Sequence, residues 1–264
     1  MIGWLARARL AADREPERER VPLHLACEAG AAAIGSVEPT LAQTLHEAGL
    51  GIVPMGAGYR VDAPADRSLD RIARWLHERR LCAPWRDELL DVPDDAGAVV
   101  AHVERAVVRV LGIRTRAVHL VGSTADEREV WIQLRAFDKS TDPGRWDTLM
   151  GGQVAAGETV ETTLERETME EAGLRLDQLQ RLARAASLVI RRPVPEGCMR
   201  EDLDVYEATI PDGLEPSNRD GEVERFECVD RAELVARLAA DAFTLEATLI
   251  LGAWLERRGD AGAT

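Results

Sequence analysis

Residues 152–174, GQVAAGETVETTLERETMEEAGL, carry carboxylates in a pattern that asks for a cation. Glu167, Glu170 and Glu171 stand at i, i+3 and i+4, so on a helix they leave by one face. Like charges at that spacing each cost an isolated helix about 0.2–0.5 kcal/mol. A hard divalent cation held by carboxylate oxygens offsets the cost, and Mg²⁺ in particular brings phosphates with it. Around the triplet stand Gly152, Glu158, Arg166 and Gly173. Arg166, four residues before Glu170, suits orienting that carboxylate. The alternative is a solvated acidic helix, since 158–171 contains six glutamates. Such a helix has no need of Gly152, Arg166 and Gly173 at these offsets.

The elements that would hold these groups are legible around them. Thr159 suits an N-cap and Gly173 the left-handed residue after a helix, which predicts a helix over 160–172 with Val160, Leu164, Thr168 and Ala172 buried. Upstream, 117–122 and 129–136 read as a strand hairpin, the second strand alternating Val130, Ile132 and Leu134 with Trp131, Gln133 and Arg135. Further strands are expected at 185–190 and 202–210, and helices at 102–112, 230–240 and 243–258. Helices then flank a mixed sheet in an α/β sandwich. VPDDAG, near residue 95, collects turn formers and marks a division. The expected units are a small α+β domain over 1–95, a main domain over 96–258, and a loose tail over 259–264. Within the first, 39–50 is a capped helix opening on Pro39, 67–81 an amphipathic helix, 51–55 and 59–62 short strands, and Arg14 to Arg20 an exposed lead-in.

Composition narrows the function classes. The 264 residues are 45% hydrophobic, enough for a core, and contain no run of 18 apolar residues. The first twenty lack a secretory h-region and cleavage site, so a cytoplasmic location and no membrane partner are expected. A formal charge of −14 argues against nucleic acid as a partner, because duplex binding is built on cations that neutralise phosphates. Such a chain needs local cations to hold a diphosphate, and Arg135, Lys139 and Arg145 lie just upstream of the acidic segment. Cys27, Cys82, Cys198 and Cys228 are far apart and expected as reduced, buried thiols. The five histidines are scattered and suggest no metal spacing. Oligomeric state is not readable.

The 152–174 segment resembles the Nudix box, G-x5-E-x7-R-E-U-x-E-E-x-G-U, with U a bulky aliphatic residue; only Thr168 departs, at the first U. Seven matches at fixed offsets have a chance on the order of 10⁻⁵ to 10⁻⁴ over this chain. The resemblance implies an α/β/α sandwich and Mg²⁺- or Mn²⁺-dependent hydrolysis of a small-molecule diphosphate by water attack on phosphorus. It also implies that Glu167, Glu170 and Glu171 ligate the metal, with the carbonyl near Gly151 completing the set. Glu167 and Arg166 would serve the chemistry, with Gly152, Glu158 and Gly173 structural. A further carboxylate often serves such enzymes, and Glu222 in DGEVERF is the candidate. WRDELLDV (85–92), ERAVVRVLGIRTRAVHL (104–120) and WIQLRAFDKSTDPGRWDTLMGGQVAAGE (131–158) are similar to Nudix proteins related to the portion fused to fungal thiamine pyrophosphokinases. That similarity implies thiamine diphosphate or its oxidised forms as substrate, with Trp85, Arg86, Arg135, Lys139 and Arg145 as candidate substrate contacts. Trp131 and Trp146 are expected in the core. An ADP-ribose or nucleoside-diphosphate pyrophosphatase is the first alternative, a noncatalytic ligand-binding module the second, and an isopentenyl-diphosphate-isomerase-like enzyme, suggested by Lys139 to Asp147, a weaker one.

Overall fold

A computed structural model describes residues 3–27 and 30–259. Its elements in chain order are α1 (Gly3–Ala12), β1 (Val21–Cys27), β2 (Gly30–Val37), α2 (Pro39–Glu47), β3 (Ile52–Met55), β4 (Gly58–Val61), α3 (Ala65–Glu78), β5 (Leu89–Pro93) and β6 (Val99–Glu104). Then come β7 (Arg114–Ser123), β8 (Glu129–Arg135), β9 (Trp146–Asp147), β10 (Met150–Gln153), α4 (Val160–Ala172), β11 (Gln180–Val194), β12 (Gly197–Thr209), β13 (Val223–Asp230), α5 (Arg231–Ala239) and α6 (Leu245–Arg257).

Period-two burial of Leu23 and Leu25 on β1, and helical burial of Leu69, Ile72, Ala73 and Leu76 on α3, build the first core. Its sheet has the order β2-β1-β4-β3, and the β5–β6 hairpin packs on the same core. The turn formers near residue 95 are the tip of that hairpin: Asp94 Oδ1 accepts from the backbone N–H groups of Ala96 and Ala98 at 2.9 Å each. The first core runs on past the expected division to Ile113.

The helix expected over 102–112 is absent. Ala101 and Val103 face the core from β6, a 3₁₀ turn follows at Arg105–Val107, and Val107, Val108, Val110 and Leu111 are all buried. A segment buried on every side has no amphipathic helical face, and its β-branched valines fit extended backbone better. Glu104 ends the strand by accepting from the Arg86 N–H at 2.9 Å.

The second core surrounds a mixed seven-stranded sheet of order β11-β12-β7-β8-β13, with β12 parallel to β7. The expected β7–β8 hairpin pairs only at Gly122 with Trp131 and Ser123 with Val130. Beyond those pairs the strands part; β10 joins β7 and β9 joins β8, so the sheet forks. Val118 and Leu120 pack towards α4, while Ala117 and Val121 pack with α6, giving helices on both faces. The expected α/β sandwich preceded by an α+β region is therefore observed.

Sequence reasoning assigned no element to 3–12. Trp4, Leu5, Ala8 and Ala12 line one side of α1 and join the second core, against α6, far from their neighbours in sequence. Among cysteines with described side chains, Cys198 is buried but Cys82 and Cys228 are only half-buried, contrary to expectation. The tail beyond 259 lies outside the described residues.

Candidate active site

Helix α4 matches the expected bounds. Thr159 Oγ1 accepts from Thr162 N–H at 3.1 Å, and Thr162 Oγ1 accepts in turn from Thr159 N–H at 2.9 Å, closing the first turn. Gly173 ends it at φ 65°, a conformation that a side chain would strain. Val160, Leu164, Thr168 and Ala172 are all buried, as the stripe predicts. Thr168, the departure from the motif, keeps its place at the cost of a buried hydroxyl with no hydrogen-bond partner.

The burial of that stripe turns the glutamates towards the fork in the sheet. Glu167 lies over Gly152, where a Cβ would stand 2.2 Å from Glu167 Cδ, so only glycine admits the carboxylate. Arg166 ties the cluster together. Its Nε and Nη2 donate to the two oxygens of Glu158 at 2.9 and 3.0 Å, and its Nη1 reaches Glu167 Oε1 and Glu170 Oε2, each at 2.9 Å. The expected Arg166–Glu170 contact is thus one of three. Glu171 is 1% exposed; its Oε2 accepts from Gln133 Nε2 at 3.0 Å and from Gly151 N–H at 3.1 Å.

These contacts divide the carboxylates electrostatically. Arg166 holds Glu158 below the usual carboxylate range, against some burial. Burial, then repulsion from Glu171, pushes Glu167 up to about 8 despite Arg166. Burial pushes Glu171 up to about 7, opposed by Lys139. Glu167, Glu170 and Glu171 share a face, as the helical spacing requires, but their oxygens do not converge: among the described residues no three acidic, histidine or cysteine groups are set to hold a metal ion. Arg166 occupies the space between Glu167 and Glu170.

Lys139 stands opposite, paired to Glu222 and 3.7 Å from Glu171 Oε1. Burial raises the Glu222 carboxyl, but Lys139 outweighs it and holds the group below its ordinary range. Arg135 fixes the loop that carries Lys139, bonding the carbonyls of Thr141 and Asp142 at 2.9 and 3.2 Å and Asp147 Oδ2 at 3.3 Å. Arg86 reaches across from the first core to Ser140. All of these line one cavity of about 410 Å³. Two expected contacts do not. Arg145 turns away to the carbonyls of Asp241 and Phe243, at 2.7 and 2.8 Å. Trp85 bonds Asp87 and packs near His77 on the first core, because its flank is apolar.

The sequence profile of the NUDIX domain matches residues 113–249, more than half of the chain. The chain belongs to the Nudix family. It is 29% identical over 198 residues to Nudix hydrolase 20, chloroplastic, of Arabidopsis thaliana, covering 73% of this chain and 53% of that protein. It is 28% identical over 206 residues to Nudix hydrolase 24, chloroplastic, of the same plant, covering 75% and 56%. The chain thus spans about half the length of these curated relatives. The crystal structure of DR0079 from Deinococcus radiodurans is similar at a TM-score of 0.50 and 26% identity, over 62% of this chain and 97% of that one. Among the described residues no helix is long and apolar enough to cross a membrane.

Around the Nudix helix the fold also gathers groups that sequence reasoning passed over. His119, Asp147, Gln153, Arg192, Glu201 and Glu246 line the same cavity. They come from β7, β9, β10, β11, β12 and α6, with no shared spacing. The one local signal is polar residues inside strands otherwise apolar, such as His119 between Val118 and Leu120. Trp146 is buried, as expected, with Arg237 and Arg225 4.8 and 5.1 Å from its ring.

Proposed function

We propose that this chain is a divalent-cation-dependent hydrolase of a small organic diphosphate, with thiamine diphosphate or its oxidised forms as the leading substrates. The observation that carries the reading is the wall of Glu158, Glu167, Glu170 and Glu171 facing Lys139 across one cavity. The donor set fits Mg²⁺ or Mn²⁺: hard oxygen ligands, two of them buried and mutually repelling, with Gly152 leaving room for Glu167. Glu167, Glu170, Glu171 and the Gly151 carbonyl are the assigned ligands. When bound, the cation neutralises diphosphate oxygens and makes a water more acidic.

The chain's own groups divide the remaining work. Lys139 pairs with the diphosphate, released in part from Glu222 and Glu171. Arg135 positions Lys139 through the 136–145 loop. Arg166 holds Glu167 by Oε1 and leaves Oε2, which accepts no hydrogen bond from the chain, to take the proton of the attacking water. An oxygen–phosphorus bond forms, the bridging phosphorus–oxygen bond breaks, and the leaving phosphate departs towards Lys139 and Arg86. Glu222 is assigned as the supporting carboxylate. The choice of thiamine compounds rests on the resemblance of 85–92, 104–120 and 131–158 to the subgroup fused to fungal thiamine pyrophosphokinases. A cytoplasmic location goes with this proposal, the two plant relatives being named as chloroplastic.

The test is monophosphate release from thiamine diphosphate, its oxidised analogues, ADP-ribose and isoprenoid diphosphates, with and without Mg²⁺ or Mn²⁺. Turnover should need the cation, and Glu167→Gln should lower kcat by roughly 10²–10⁴-fold with KM little changed. Full turnover in excess EDTA, or a rise in KM alone, overturns the assignment.

A further inference from the structure

The cavity has a second end that the diphosphate chemistry does not use. His119 and Glu201 line it, 6% and 5% exposed, together with Gln153, Arg192, Glu246 and Met199. Their polar atoms are unevenly satisfied. Glu201 Oε1 accepts from Thr115 Oγ1 at 3.1 Å and Gln153 Nε2 at 2.9 Å, while Oε2 accepts nothing. Gln153 Oε1 and Arg192 Nε are buried without a partner. Thr148 Oγ1 donates its one proton to the Met150 carbonyl at 2.8 Å, so it accepts from His119 Nδ1 at 2.9 Å. Burial keeps that imidazole neutral, which leaves Nε2 as a bare lone pair without a partner.

Three free acceptors and one free donor thus sit in one water-excluding recess. Buried polar atoms left unpaired are costly, on the order of 1–3 kcal/mol each, and a ligand that pairs them recovers that cost. Two carboxylates, Glu201 and Glu246, stand against the single guanidinium of Arg192, 3.7 Å from Glu246. This balance favours a ligand rich in N–H donors. Met199 and Ala117, each 4% exposed, supply an apolar surface for the flat face of a ring.

We propose that this end of the cavity binds the substrate's nitrogen heteroaromatic ring. An N–H-bearing edge of the ring faces Glu201 Oε2, Gln153 Oε1 and His119 Nε2, while Arg192 Nε meets an acceptor on the same edge. The orientation of the ring relative to its diphosphate rests on the hydrolase reading above. The substrate class is then a diphosphate ester of an amino- or oxo-bearing N-heterocycle, and isoprenoid diphosphates are excluded for want of that edge.

The test separates ring binding from catalysis by omitting phosphate. The full chain is titrated calorimetrically with thiamine, with oxythiamine, and with 4-methyl-5-(2-hydroxyethyl)thiazole, which lacks the pyrimidine and hence the N–H edge. Thiamine and oxythiamine should bind, with the thiazole at least tenfold weaker, about 1.4 kcal/mol or more. Glu201→Gln should weaken thiamine at least tenfold. Equal affinity for the three ligands, no binding of either pyrimidine compound, or a Glu201→Gln chain that binds thiamine as the unaltered protein does, overturns the proposal. The fragment comparison decides the matter even where that substitution unfolds the protein. Ring discrimination without hydrolysis of any diphosphate would sink the hydrolase reading and leave the pocket standing. Hydrolysis without ring discrimination would sink the pocket alone.

Discussion

The two cores treat polar groups differently. Among the described residues up to Ile113, only Ser68 and Glu104 are buried polar side chains, and Glu104 serves backbone N–H groups. Beyond Ile113 the buried set includes His119, Gln133, Asp147, Glu171, Glu201 and Asp204. A stable fold has no need of so many desolvated charges, each of which works against folding until it is paired. The first core is organised for packing, whereas the second accepts a burden that a bound cation and ligand can relieve. Arg166, Lys139 and Arg192 keep the second core folded in the meantime by pairing with glutamates.

The largest effect should come from the element that crosses between the two halves. Removing residues 1–13 takes Trp4 and Leu5 out of the second core, and their lost burial should cost roughly 4 kcal/mol. Chemical denaturation should show the loss in the transition of the second half. An unchanged transition would mean that α1 only decorates α6. The arrangement also bears on the first ninety-odd residues as a separable module. A chain starting near residue 95 would lose α1 and part β5 from β6, so it should be insoluble.

A smaller effect tests the buried charge directly. Burial, with repulsion from Glu201, pushes the Glu246 carboxyl up to about 7, so between the ordinary carboxylate range and that value the folded chain holds a proton the unfolded chain has released. Stability should therefore fall as pH rises through this window, by about 1.4 kcal/mol for each unit of displacement, and level off above it. Glu246→Gln should flatten part of that slope in thermal melts from pH 4.5 to 8. An identical slope in the variant would remove Glu246 from the account. The smallest effect is at Thr168. Thr168→Val keeps the shape and removes a hydroxyl without a partner, so it should stabilise the fold by about 1 kcal/mol. A loss of stability would show that the hydroxyl is satisfied in solution.

Local chemistry determined much of this protein before any tertiary contact. Helix α4 needed only Thr159, Gly173 and a stripe at helical spacing, because caps and periodicity act within a few residues of chain. The face shared by Glu167, Glu170 and Glu171 follows from the same 3.6-residue period. Only the tertiary structure decided what that face meets. The segment 102–112 carries a helical pattern, yet it is extended because burial on every side removes the advantage of an amphipathic helix. Trp85 and Arg145 have the right side chains for substrate and are held elsewhere, by the first core and by carbonyls near Phe243. His119, Gln153, Glu201 and Glu246 lie on four different elements. Their convergence depends on β7 and β8 parting after two residue pairs, and strand register over such separations leaves no spacing for a single sequence to display.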